Sequence, residues 1–349
     1  MGLIVGCSPS SGNQSGDSIS TDQPTQSLPT DCRTISHDAG ETEVCGQPET
    51  VVALSVHVLD LLLSLGMQPA GLATVGNFNQ GSVFDNPAQQ IPYLGDRLTT
   101  QPVNLGNAAE PSLEALTALK PDLIIGEAGR NADTYDVLSQ IAPTILWSNR
   151  TDKGQWRESL EVVAIAIDQE EKVRAAIQKV EALIADTRAE LADVVEQYPT
   201  VLLLGASRLN EGIYAIEPES YLGELLEGVG FQMISLPSLD SRPGAPISIE
   251  ALPEFNDMDT IILLGYNADF GADSLITSPD DETTISEVVE RHQVKTIRED
   301  WEENAIAQTL PASKNNRVYF ATYYKWNGLN GPIGAELVLE QLREFFLDN

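Results

Sequence analysis

Apolar residues fall along this chain in short blocks of two kinds. VVAL at 51–54 is a continuous run, VLDLLLSLG behind it repeats apolar positions at helical spacing and stops at Gly66, and a second short run fills 70–75. Unbroken runs of this length predict strands buried on both faces, and the periodic segment with its glycine stop predicts a helix between them. EPSLEALTALKPDLIIG then reads as a helix entered at Pro111-Ser112 and closed before Pro121, with a buried strand at 123–126; YDVLSQIAPTILW repeats helix and strand. The alternation predicts a parallel α/β sheet.

The same order returns further on. VLLLG at 201–205 predicts a strand, SYLGELLEGVGF a helix stopped at 228–230, and PISIEALPEFNDMDTIILLG a helix followed by a strand at 260–265. Ser112-Leu113-Glu114-Ala115-Leu116 and Ser248-Ile249-Glu250-Ala251-Leu252 occupy equivalent places in the two halves, each before a buried strand, so the chain reads as two related lobes. Between them no glycine or proline occurs from Trp156 until Pro199. Asp168 is placed to cap a helix over 170–197, about 42 Å long at 1.5 Å per residue, long enough to join one lobe to the other. A helical hairpin within one domain fits the periodicity equally. The divisions expected are 1–31 as a tether, 32–168 as the first lobe, 169–198 as the connecting helix and 199–349 as the second lobe.

Charge narrows the functions available. The chain has 349 residues, 52 acidic and 20 basic, a formal charge of −32. Without a basic surface it cannot displace counterions from phosphates, which excludes sequence-independent nucleic-acid binding. No run of about 18 apolar residues, the length that crosses a bilayer, occurs anywhere in the sequence, so no membrane-spanning helix is expected. The opening Ile4-Val5-Gly6-Cys7 resembles a bacterial lipobox, with Cys7 as the residue that takes the lipid, and the Ser/Gly/Gln/Pro-rich stretch behind it is the composition of a flexible tether. Membrane anchoring at the periplasmic or outer cell surface follows from that reading. Cys32 and Cys45 bracket two β-prone runs around Asp38-Ala39-Gly40, so a hairpin closed by a disulfide is expected, in an oxidising compartment.

Catalytic signatures are sparse: the sequence has no phosphate-binding glycine loop, nucleophile elbow or HExxH. His37, His57 and His292 are too scattered to predict a zinc site, and no metal ligands are assigned. Tyr323-Tyr324 offers phenolates suited to ferric iron, but on an extended segment neighbouring side chains face opposite ways. A stacking or hydrogen-bonding wall formed by Tyr324 and Trp326 is therefore the leading expectation, with direct iron ligation a lesser option and plain packing in the core or on the surface the competing reading.

These segments carry a resemblance. GETEVCGQPETVVAL, VLDLLLSLGMQPAGL, EPSLEALTALKPDLIIG, YDVLSQIAPTIL and PISIEALPEFNDMDTIILL look like successive signatures of the iron-siderophore solute-binding proteins of ABC importers, the type with a helical backbone between lobes. The resemblance runs from about Thr34 to the C-terminus. The chain departs from the usual family pattern at Gly46 and Thr50, and Cys32 and Cys45 are additions. The resemblance implies two α/β lobes joined by one long helix, a ligand cleft between them, and delivery to a membrane permease dimer. By it, strand-end loops carrying His57, Asn77, Phe78, Arg130, Ser207, Arg208, Arg242, Tyr324 and Trp326 line the cleft, Glu114 and Glu250 dock on the two permease subunits, and iron arrives inside the chelate with no cofactor of the protein's own. A monomer is expected.

The arginines have a physical rationale as well. A body at −32 repels anions, and most ferric siderophores are neutral or anionic, so local cations must offset that field. Arg130, Arg208 and Arg242 stand at loops where a guanidinium can pair with carboxylate or hydroxamate oxygens, and each taken singly reads equally as a surface arginine. Two further readings stay open: a binding protein for another bulky chelate such as haem or a corrinoid, and a surface-anchored α/β enzyme.

Overall fold

A computed structural model describes residues 31–75, 81–147, 150–235, 246–254, 258–267 and 283–347. It begins with the expected hairpin, β1 (Cys32–His37) antiparallel to β2 (Gly40–Cys45), whose register sets Cys32 opposite Cys45 and whose ends are closed by a disulfide between them. The hairpin is docked onto the first lobe by two long-range bonds. Thr42 Oγ1 donates to the Thr144 carbonyl at 2.7 Å, and the Arg33 guanidinium to that of Ala166 at 2.9 Å.

The first lobe holds β3 (Val51–Ala53), β4 (Gly71–Thr74), β5 (Val103–Asn107), β6 (Leu123–Glu127) and β7 (Thr144–Trp147), all parallel, in the order β5-β4-β3-β6-β7. The second holds β8 (Thr200–Ala206), β9 (Tyr214–Ala215), β10 (Gln232–Met233), β11 (Thr260–Gly265) and β12 (Val318–Thr322). Its path β10-β8-β11-β12 is parallel, and among the described residues only the short β9 runs antiparallel, against β8. In each sheet the strand order reverses once, between β3 and β6 and between β8 and β11. At such reversals the loops leaving the carboxyl ends of neighbouring strands part in opposite directions and open a crevice.

Continuous apolar runs are explained by what covers the sheets. In β8, Val201 and Leu203 face one core while Leu202 and Leu204 face another, so every position from Val201 to Ala206 is buried. The shared core carries Leu59 and Leu62 of the first-lobe helix Val56–Ser64, Val180 of the connector and Val338 and Leu342 of the C-terminal helix Pro332–Leu347. One apolar core thus runs through both lobes. Asp60 fastens the same junction: fully buried, its carboxylate accepts the backbone N–H of Ile333 at 2.9 Å and of Gly334 at 2.7 Å, capping the C-terminal helix from the opposite lobe. A Cβ at Gly331 would meet that carboxylate at 2.6 Å, so glycine is what lets the two approach.

Three local expectations are corrected. Asp168 does not cap the connecting helix; it ends the preceding one, Gln155–Ile167, in the left-handed conformation at φ 59°, and Gln169 stands at the start of the next. The connector itself is Glu170–Glu190, about 31 Å long, with a turn at Leu191 before a short helix Ala192–Gln197. In the second lobe, Ile249–Glu254 is a 3-10 helix with Pro253 inside it, which lacks the N–H that an α-turn needs.

Candidate functional site

Both strand-order reversals face the junction between the lobes, and the side chains that follow those strands assemble there. On the first lobe, β6 ends at Glu127, a buried carboxylate whose backbone N–H is held by Asn131 Oδ1 at 3.2 Å; Asn131 is fixed in turn through Nδ2 to the Ala108 carbonyl at 2.8 Å. Glu127 pairs with two arginines, Arg130 at 3.3 Å and Arg150 at 3.4 Å. Burial pushes its carboxyl up, but Arg150, His57, the Ser55 hydroxyl and Arg130 outweigh that and hold it below the usual carboxylate range. The group is an anion at neutral pH, and one carboxylate between two guanidinium groups leaves a local excess of one positive charge.

Arg150 also crosses the junction. Its guanidinium donates to the carbonyls of Asn327 at 2.7 Å and Gly328 at 3.2 Å and to Asn330 Oδ1, all on the second lobe. His57 reaches the same segment through Nδ1, which must carry the proton because its partner is the Leu329 carbonyl. Burial, and then the neighbouring Arg150 charge, push this imidazole down to about 4, so it is neutral at pH 7. Residues 327–330 are therefore held by the opposite lobe.

On the second lobe the strand ends form a pocket of about 460 Å³ lined by Gly205, Tyr214, Ala215, Ile216, Ser220, Tyr266, Tyr323 and Asn327, with Thr151 of the first-lobe side completing it. Its aromatic wall is continuous: the Tyr214 and Tyr266 rings lie 6.4 Å apart, and those of Tyr266 and Tyr323 5.6 Å. Asn327 Nδ2 donates to the Tyr323 hydroxyl at 2.6 Å. Burial holds the Tyr266 phenol above its usual range, despite a bond with the Ser207 backbone that pulls the other way, so it stays protonated. Thr151 follows Arg150 in sequence, and Asn327 gives its carbonyl to Arg150 and its side chain to the pocket. The charged rim and the aromatic pocket thus share a wall.

The expected residues divide. Glu127's neighbour Arg130 is at the rim and exposed, and Ser207 follows β8 beside Tyr266. His57 is fully buried and acts as a strut, offering no surface to a ligand. Residues 323–328 are helical, Tyr323–Gly328 capped by Thr322 Oγ1, and not extended. That rotation sends Tyr324 onto Tyr93 with its hydroxyl buried, and puts Trp326 fully in the core with Nε1 donating to Gln341 Oε1 at 2.7 Å. Neither Tyr324 nor Trp326 forms the expected wall; Tyr323 takes that place. Arg208 is committed to Asp300 through two bonds of 3.0 Å. Asn77, Phe78, Arg242 and Cys7 lie outside the described residues. Arg150, Thr151, Tyr214 and Tyr266 escaped the sequence reading, although Arg150 and Tyr266 each follow a strand of the predicted sheets, which is the signal that selected the others.

Glu114 and Glu250 are both exposed. Glu114 sits in the first turn of Leu113–Leu119 behind the Ser112 cap, and Glu250 near the start of its 3-10 helix, where Ser248 Oγ accepts its N–H at 3.3 Å.

Comparison with known proteins bears on this geometry. Residues 51–323, spanning the sheets of both lobes, match the family described as periplasmic binding protein. The chain is 28% identical over 337 residues to the Fe(3+)-citrate-binding protein YfmC of Bacillus subtilis, covering 96% of this chain and 90% of that one. It is 27% identical over 356 residues to the putative ABC transporter substrate-binding lipoprotein YhfQ of the same organism, covering 98% and 93%. In fold it is similar to Staphylococcus aureus SirA, solved in complex with staphyloferrin B, with a TM-score of 0.64 at 23% identity over 90% of this chain and 98% of that one.

Proposed function

The chain belongs to the periplasmic binding protein family, and from that premise we propose that it is the solute-binding component of an ABC importer, capturing a ferric siderophore or related iron chelate between its lobes. The observation that carries this reading is the junction itself. Two strand-order reversals face each other there, a net cationic rim on one side and a neutral aromatic pocket on the other, in a body of charge −32. An anionic chelate repelled by the body at long range gains a local partner at Arg130 and Arg150.

The shared apolar core and the bonds of Arg150, His57 and Asp60 across the junction support capture with small lobe movements rather than wide hinge closure. Iron enters as cargo within its chelate. The exposed, paired positions of Glu114 and Glu250 suit docking on a two-fold permease, Cys7 is assigned as the lipid anchor that keeps the protein at the outer face of the membrane, and the protein works as a monomer without catalysis. Tryptophan fluorescence titrated with ferric citrate, a ferric hydroxamate, a ferric catecholate, haem and cobalamin tests the reading. Saturable binding of an iron chelate at micromolar or lower concentration is expected; saturation by haem or cobalamin alone would overturn it.

A further inference from the structure

The cleft is asymmetric, and the asymmetry specifies the kind of chelate it takes. Among the described residues, the nine that line the 460 Å³ pocket are all uncharged. The cationic charge described beside it is the Glu127–Arg130–Arg150 rim, where two cations share one anion, and the Glu211 carboxylate acts on Tyr266 from the other side. Arg150 spends one guanidinium nitrogen on the 327–330 segment, and its side chain is only 16% exposed, so Arg130, at 34%, is the more accessible donor.

Resting on the function proposed above, we propose that the site is built for a mixed ferric chelate, with a hydroxycarboxylate edge on Arg130 and Arg150 and an alkyl or aryl arm in the pocket walled by Tyr214, Tyr266 and Tyr323. The rim's excess of one positive charge matches about one carboxylate. A symmetric trianionic tris-catecholate would present charge to the uncharged pocket as well, where phenols and an amide offer hydrogen bonds and no counter-ion. The Tyr266 phenol, 5.6 Å from the Tyr323 ring on the pocket wall, is a hydrogen-bond donor to amide or hydroxamate oxygens on such an arm. A small all-carboxylate complex would satisfy the rim and leave the aromatic wall bare, forgoing the burial that three rings provide.

The test compares the affinities of three ferric complexes for the full chain by fluorescence titration: ferric citrate, the ferric complex of a citrate carrying two alkyl hydroxamate arms, and a ferric tris-catecholate. The armed citrate is expected to bind best. In Tyr266→Ala the ratio of armed-citrate to citrate affinity should fall about tenfold or more, whereas in Arg130→Ala both affinities fall together and the ratio holds. Tyr214→Ala, at the exposed mouth of the pocket, repeats the measurement should Tyr266→Ala fold poorly, as judged by its melting temperature. A ratio unchanged by both tyrosine substitutions, or tris-catecholate binding as tightly as armed citrate, overturns the proposal while leaving iron-chelate binding intact. No binding of any of the three overturns the proposed function as well.

Discussion

Trp326 shows how a residue can be chemically suited to a site and still serve the core. Its indole is fully buried, stacks near Phe345 with ring centroids 6.1 Å apart, and spends its N–H on Gln341. Trp326→Ala is therefore expected to cost about 3 to 5 kcal/mol of stability, measured by urea unfolding, while Arg208→Ala, which removes a solvated pair with Asp300, leaves the unfolding midpoint in place. Equal effects of the two would contradict this assignment. Asp60 makes a prediction about pH. Burial raises its carboxyl from 3.8 to about 6, against the Ile333 and Gly334 amides, the Ser64 hydroxyl and the Arg97 charge, which pull it down. The folded protein thus holds this proton more tightly than the unfolded chain does, so the stability it contributes is complete below 3.8 and is lost as pH rises through about 6. Asp60→Asn does not titrate, and its stability relative to the native chain should climb between pH 4 and 7 by on the order of 1 to 3 kcal/mol. A flat difference across that range would mean Asp60 titrates as an ordinary carboxylate.

Among elements, the disulfide hairpin gives the clearest test. A bond closing a loop of this length restricts the unfolded chain by about 3 kcal/mol, and the hairpin keeps its contacts with Thr144, Ala166 and Leu146 without it. Thermal melts with and without reductant should show a lower midpoint on reduction with near-unchanged far-ultraviolet circular dichroism; an identical midpoint would show that the bond adds nothing. The strands were legible in the sequence because both faces are buried, so VVAL, DLIIG, VLLLG and TIILLG leave no polar break to misread. The hairpin was legible from its turn and its bracketing cysteines. Tyr323–Gly328 was not: YYKWNG is short and aromatic, and its helicity comes from the Thr322 cap and the burial of Trp326, neither visible in a local pattern. That one misread element displaced two of the expected site residues. Arg150 was missed for a different reason, since its partners lie about 180 residues away at 327–330 and only the packed lobes bring them together.

At the scale of the whole molecule, the two lobes share one apolar core, and the first lobe grips the segment that ends the second-lobe pocket. This arrangement supports a nearly rigid clamp, and under the proposed function its recognition by a permease is assigned to surface charges placed alike on both lobes. Glu114→Ala with Glu250→Ala should leave chelate affinity unchanged and reduce cellular iron uptake more than either alone; uptake at the native level in the double variant would make both glutamates mere helix-start residues. The most direct measurement of the central claim is amide hydrogen exchange of the full chain with and without the tightest-binding ferric chelate. Slowed exchange is expected at 127–131, 150–151, 205–207, 214–216, 266–267 and 323–330, drawn from both lobes, while 170–190 stays as it was. Protection confined to one lobe, or falling outside these strand ends, would contradict a chelate site at the junction.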